Sequence, residues 1–175
     1  LKINYKKILN LRRLASSPKQ LFATLVFILV VIFIQNYIAK NPSYEAKVIR
    51  VIDGDTIEIL DGENKKRVRL YGIDAPELKQ AYGEQSKRFL GSLIDRKNVE
   101  IIQKDKDKYG RILAIIKLEG KDINQIMVKS GFAWAYIYYS DSYLNEEKEA
   151  RAKKIGLWKD ENPTEPYKWR KKNRF

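Results

Sequence analysis

Hydrophobic residues follow three different patterns along this chain. The first is an apolar run from Leu21 to Ile34, interrupted by Thr24, that continues through Gln35-Asn36-Tyr37 to Ile38-Ala39. No polar face interrupts it, which argues against an amphipathic core helix. Residues 21–39 approach the roughly 20 residues that a helix needs to span a bilayer. The second pattern is a set of short β-like runs at 46–52, 56–60, 67–70, 98–103 and 111–118. Asp53-Gly54-Asp55 and Asp61-Gly62 supply turn signals between the first three. Arg67 and Arg69 fall on one face of their run and Val68 and Leu70 on the other. The last two runs bracket a charged loop, Lys104 to Gly110. Five strands in a small half-polar sheet predict a closed or nearly closed barrel. The third pattern is helical. Residues 83–95 put Phe89, Leu90, Leu93 and Ile94 on one side, and 122–130 follow a capping Asp122 with Ile123, Ile126 and Met127 on one face. A last helix is expected from a Ser142 cap to Ile155, with Gly156 as its stop and Glu147–Arg151 and Glu149–Lys153 as supporting pairs.

These patterns divide the chain into a basic flank (1–20), an apolar helix (21–39), a short linker (40–44), a globular domain (45–160) and a basic, aromatic tail (161–175). Lys2, Lys6, Lys7, Arg12, Arg13 and Lys19 precede the apolar run. A cleaved signal would want small residues at its cleavage site, and Tyr37 with Ala39 makes a poor A-x-A. The expectation is an uncleaved anchor with its basic flank in the cytoplasm and the rest exported by the positive-inside rule; secretion after cleavage is the alternative. Of the net charge of +13, the six bases of residues 1–20 and five bases against Glu165 in residues 163–175 leave only +3 to residues 21–162. Any nucleic-acid binding by the middle of the chain must therefore rest on placed residues, while the ends suit a membrane surface or a polyanion.

Composition narrows the chemistry. The chain has no His and no Cys, which excludes imidazole bases, thiolate nucleophiles and the usual zinc ligands. What remains is carboxylate, Lys, Tyr and Arg chemistry or an oxygen-bound metal. The charged candidates are concentrated in Val51-Ile52-Asp53-Gly54-Asp55-Thr56 and Arg69-Leu70-Tyr71-Gly72-Ile73-Asp74-Ala75-Pro76-Glu77, followed later by Asp107-Lys108-Tyr109-Gly110-Arg111. Acidic oxygens beside a fixed guanidinium suit a hard cation and a phosphate held together. Alone, Asp55 reads as a turn-forming residue, as Asp61 does; with Asp74-Ala75-Pro76-Glu77 nearby, metal ligation is the better reading. Pro76 favours an extended Ala75, whose carbonyl offers a further oxygen ligand. Trp134-Ala135-Tyr136-Ile137-Tyr138-Tyr139 is an aromatic run in which Trp134 reads as core.

Asp55, Arg69, Asp74 with Glu77, and Arg111, each with its neighbours, resemble the thermonuclease, or staphylococcal-nuclease-like, family over about residues 45–160. The resemblance implies an α+β fold: an OB-type five-stranded β-barrel with about three α-helices, here preceded by a membrane helix. It implies a calcium-dependent nuclease acting on DNA or RNA, in which Asp55, Asp74 and the Ala75 carbonyl hold Ca2+. It further implies that Glu77 orients or deprotonates water, that Arg69 and Arg111 bind the reacting phosphate, and that Lys108, Tyr109, Tyr136 and Tyr138 contact the nucleotide. The family's best-known member has Thr where this chain has Ala75, and a longer loop between the position of Glu77 and the helix after Gly83. A membrane-tethered monomer with its catalytic domain outside the cytoplasm is expected. Two rivals remain at this stage, an OB-fold module that binds nucleic acid without cutting it, and a membrane-anchored interaction protein that uses the barrel as a scaffold.

Overall fold

The structure, a computed structural model, describes residues 18–40 and 43–173. Most of the expected basic flank, part of the linker and the last two residues of the tail lie outside the described residues. The chain falls into two units divided between residues 41 and 42. The first contains α1 (Pro18–Lys40), 23 residues long, or about 34 Å at 1.5 Å per residue. Its segment Pro18–Asn36 has a mean hydropathy of 1.9 and is long and apolar enough to cross a membrane.

In the second unit, β1 (Ser43–Val51), β2 (Thr56–Asp61), β3 (Asn64–Leu70), β5 (Asn98–Lys106) and β6 (Ile112–Leu118) form the barrel. The sheet runs β3-β2-β1-β5-β6, and a parallel pairing of β3 with β6 closes it. Register shifts between Val48 and Arg50 and between Gln103 and Asp105 bend β1 and β5, as bulges do where a sheet must curve. Alternation does the rest. Val48, Ile57, Ile59, Val68, Leu70, Ile101 and Ile116 point inward and are fully buried, so a one-residue slip would turn the whole set outward. The expected five-stranded barrel is therefore the fold, with β5 extending to Lys106 and shortening the predicted charged loop.

Short strands β4 (Ile73–Asp74) and β8 (Trp134–Ala135) pair antiparallel beside the barrel, and β7 (Lys121–Asp122) extends β6. Helix α2 (Gly83–Ile94) buries Leu90 and Ile94, and α3 (Ile123–Lys129) is capped by Asp122, whose side chain accepts from Gln125 N, both as the sequence predicts. The buried Asn124 donates to the Tyr71 and Ala114 carbonyls and accepts from Ile116 N, tying α3 to β6 and to the loop that follows Arg69.

The next helix departs from expectation at both ends. Helix α4 runs Leu144–Ala152, because Tyr143 is buried with its hydroxyl on Asp122, and Ser142 N donates to Ser140 Oγ rather than Ser142 capping the helix. At the far end, Gly156 lies against Gly131: a Cβ on Gly156 would fall 2.1 Å from the Gly131 carbonyl oxygen. The chain must leave the helix early to make that approach, and a 3-10 turn, Gly156–Lys159, follows. The Glu147–Arg151 and Glu149–Lys153 pairs both form. Trp134 is core as expected, packed edge-on to Trp158 at 4.8 Å between centroids. A fourth helix in this unit, α5 (Pro166–Lys172), was not expected; it begins with a buried proline in its first turn.

Candidate active site

The β1–β2 turn makes the first half of the site. Asp53 Oδ1 accepts from Asp55 N at 3.0 Å, so the Asx turn expected as the plain role of Asp55 is formed by Asp53 instead. Asp55 is thereby released for other bonds, and it is 3% exposed. Its Oδ1 accepts from Thr56 Oγ1 at 3.0 Å and from Arg69 Nη1 at 2.6 Å, and its Oδ2 from Ala75 N at 2.9 Å. The β2–β3 register, with Thr56 opposite Arg69, sets that arginine beside Asp55. Arg69 then bridges to Asp74, its Nη2 lying 2.7 Å from Asp74 Oδ1. Burial works against the Arg69 charge, but Asp55 and Asp74 outweigh it and raise its pKa. The Asp74 carboxyl is pushed up by burial and by Asp55, against the pull of Arg170 and Arg69.

Glu77 follows from the acidic arm through a tight loop. Gln80 N donates to the Glu77 carbonyl at 2.8 Å and Gly83 N to the Gln80 carbonyl at 3.0 Å. A Cβ on Gly83 would fall 1.9 Å from the Glu77 carbonyl oxygen, so only glycine permits so short a return to α2. The Glu77 carboxylate meets a residue that the sequence analysis left in the tail. Arg170 Nη1 lies 2.8 Å from Glu77 Oε1 and 3.0 Å from Asp74 Oδ1, and Nη2 lies 3.0 Å from Asp74 Oδ2. A signal for it was present. Pro166 can start a helix, and a Trp169 on a basic tail indicates a docked segment rather than a free polycation.

Arg111 stands apart from this cluster. Its Nε is 2.7 Å from Asp107 Oδ2, while Asp107 Oδ1 accepts from the backbone N of Tyr109 and of Arg111 at 2.9 Å each. Burial raises the Asp107 carboxyl pKa, but the bonds from Arg111 prevail and lower it. The loop that results exposes Tyr109, with the Lys108 ammonium 5.1 Å and the Arg111 guanidinium 5.7 Å from its ring centroid. Because β3 and β6 run parallel with Val68 opposite Ile112, Arg111 leads into the strand next to Arg69.

The aromatic run is brought to the acidic arm by backbone pairing. Asp74 is opposite Trp134, and Tyr136 N donates to the Gly72 carbonyl at 2.8 Å. Tyr136 and Tyr138 lie 5.3 Å apart, and Tyr167 of α5 faces Tyr138 at 6.4 Å. Together with Asp74 they line a cleft of about 390 Å³. Burial, then the charge of Asp74, raises the Tyr136 hydroxyl pKa. Asp55, Arg69, Asp74, Ala75, Glu77, Tyr136 and Tyr138 are therefore gathered, whereas Lys108, Tyr109 and Arg111 form a second group around Asp107.

Among the described residues no three His, Cys, Asp or Glu side chains converge as a metal cage; the carboxylates are turned onto guanidiniums. The donor chemistry nonetheless fits a hard cation. A carboxylate has about four lone-pair sites, and Asp55 and Asp74 each accept three bonds, with a single bond on Oδ2 in both. Two carboxylates with capacity on Oδ2 and a neighbouring backbone carbonyl at Ala75 make an all-oxygen set suited to Ca2+.

Asp53 yields a pH-dependent prediction. Burial, then the charge of Asp55, pushes its carboxyl up from 3.8 to about 7. A raised folded-state pKa means that its contribution to stability is complete below the unfolded value and lost as pH rises through about 7. Asp53→Asn keeps an acceptor for Asp55 N and cannot ionise. In chelator it should raise the melting temperature over wild type by more at pH 8 than at pH 4. An equal difference at both pH values would contradict this.

The family model described as "Staphylococcal nuclease homologue" matches residues 67–160. An "Uncharacterized endonuclease" of Haemophilus influenzae is 43% identical over 150 residues, covering 84% of each chain. A "Micrococcal nuclease" of Shigella flexneri is 42% identical over 141 residues, covering 73% of this chain and 81% of its own length. An "Uncharacterized endonuclease" of Escherichia coli is 42% identical over 147 residues, 82% of this chain and 96% of its own.

Proposed function

The chain belongs to the staphylococcal nuclease family, and from that premise we propose that it is a calcium-dependent endonuclease tethered to a membrane by α1, with its catalytic domain outside the cytoplasm. That it is a nuclease, with nucleic acid as substrate, follows from the family. The observation that supports the finer reading best is the buried Asp55–Arg69–Asp74 bridge. A module that only binds nucleic acid gains nothing from burying carboxylates beside the phosphate site.

Asp55, Asp74 and the Ala75 carbonyl are the residues to hold the cation. When bound, Ca2+ supplies charge that stabilises the phosphate as it becomes pentacoordinate. Arg69 and Arg111 add planar, bidentate donors to the phosphate oxygens. Arg69 spends two N–H groups on Asp55 and Asp74 and keeps three of its five for substrate. Glu77 takes a proton from the attacking water as the water oxygen bonds to phosphorus, and the P–O ester bond breaks with its leaving oxygen taking a proton from solvent. Tyr136 and Tyr138 suit stacking on a base, and Lys108 and Tyr109 suit the flanking nucleotide.

One experiment tests activity and location together. Intact cells producing the full chain should digest DNA or RNA added outside when calcium is present, with the activity sedimenting with membranes. Digestion only after lysis would overturn the exported orientation, and activity left in the medium would identify a cleaved signal.

A further inference from the structure

We propose that Arg170, reaching in from α5, is a positioning residue of the nuclease site: it fixes the Glu77 carboxylate against Asp74 and makes the docked C-terminal helix part of the active site. The inference rests on the role given above to Glu77. The matched family segment ends at residue 160, short of this helix.

The first support is that the Glu77 carboxylate has no other hydrogen-bond partner among the described residues. Its backbone is fixed by the tight loop to Gly83, but its side chain is one-third exposed and has three rotatable bonds. Without Arg170 the carboxylate would sample many orientations and lose the pre-alignment that makes proton transfer efficient. The second is the form of the grip. Nη1 is shared between Glu77 Oε1 and Asp74 Oδ1 while Nη2 holds Asp74 Oδ2, a two-carboxylate fork that a lysine cannot reproduce. Only Oε1 of Glu77 is engaged, so Oε2 is left to accept a proton. The third is that the helix is built in. Gln80, 8% exposed, donates Nε2 to the Thr164 carbonyl at 2.6 Å and accepts from Glu77 N at 3.2 Å through Oε1. One side chain thus joins the short loop carrying Glu77 to the segment carrying Arg170. Trp169 lines a cavity with Gln80 and Trp134, and Pro166 is buried.

The test uses the full chain in detergent as wild type, Arg170→Gln, Arg170→Lys, Glu77→Gln and the Glu77→Gln/Arg170→Gln double variant. Turnover, KM and thermal unfolding are measured for each. Arg170→Gln should lower kcat about 10- to 100-fold, the range for a residue that orients a reacting group, with little change in KM. Arg170→Lys should recover part of the loss. In the Glu77→Gln background Arg170→Gln should cost nothing further, since residues that act as a unit are not additive. The melting temperatures should show the same coupling, the double variant falling no further than the worse single one. Wild-type turnover in Arg170→Gln, or an undiminished penalty in the Glu77→Gln background, overturns the proposal. Additive melting shifts also overturn it. Coupled melting shifts in a protein that fails to cleave in calcium uphold the contact and sink the calcium-dependent reading instead.

Discussion

Excess chelator should abolish hydrolysis, added calcium should restore it and zinc should not. The expectation follows from the charge of the site. Asp55, Asp74 and Glu77 contribute three negative charges against the two positive charges of Arg69 and Arg170, so the contacting set repels a phosphodiester. A divalent cation reverses that sign. The ligand chemistry selects which cation, since the chain has no His or Cys and carboxylate and carbonyl oxygens favour a hard ion with flexible coordination over zinc. Binding is also readable without substrate: calcium at 100 times its Kd should stabilise the fold by about 2.7 kcal/mol. Undiminished cleavage in chelator, with a melting temperature indifferent to calcium, would rule the metal out.

Replacing Arg69 with Lys should lower kcat about 10²- to 10³-fold, the range for removing one preorganised electrostatic donor. Arg69 organises the site by bridging Asp55 and Asp74, and in the proposed function its remaining N–H groups serve the phosphate. Its side chain is 11% exposed, and its two Nη atoms lie 2.6 and 2.7 Å from Asp55 and Asp74. Lysine keeps the charge but presents one nitrogen where two are used. It therefore releases one buried carboxylate from its partner, which is costly in a low-dielectric setting, and it loses the planar donors left for phosphate. Near-normal turnover in this variant with calcium bound would reduce Arg69 to a structural bridge.

The same substitution distinguishes Arg69 from Arg111, which the sequence treats as equivalents. Arg111 is held by Asp107 and not by Asp55 or Asp74, so its replacement by Lys should leave the expected calcium-dependent rise in melting temperature intact, whereas that of Arg69 should not.

The sequence by itself determined the barrel. Alternation in runs such as Ile57–Ile59 and Arg67–Leu70 fixes which side chains point inward, and the Asp-Gly turns fix where strands reverse; both are local properties. It also carried the acidic arm, because Asp74-Ala75-Pro76-Glu77 is contiguous and its partner Asp55 lies in the adjoining hairpin. Tertiary structure alone decided the rest. Asp53, not Asp55, holds the turn, since only the register of Thr56 opposite Arg69 draws the Asp55 carboxylate onto a guanidinium. Helix α4 ends early because Gly156 must meet Gly131, 25 residues before it in the chain. Arg170 reaches Asp74 across 96 residues, and no local periodicity encodes such a contact. It exists because Gln80 ties the loop before Gly83 to Thr164 and because the buried Asp74 carboxylate gains a second guanidinium.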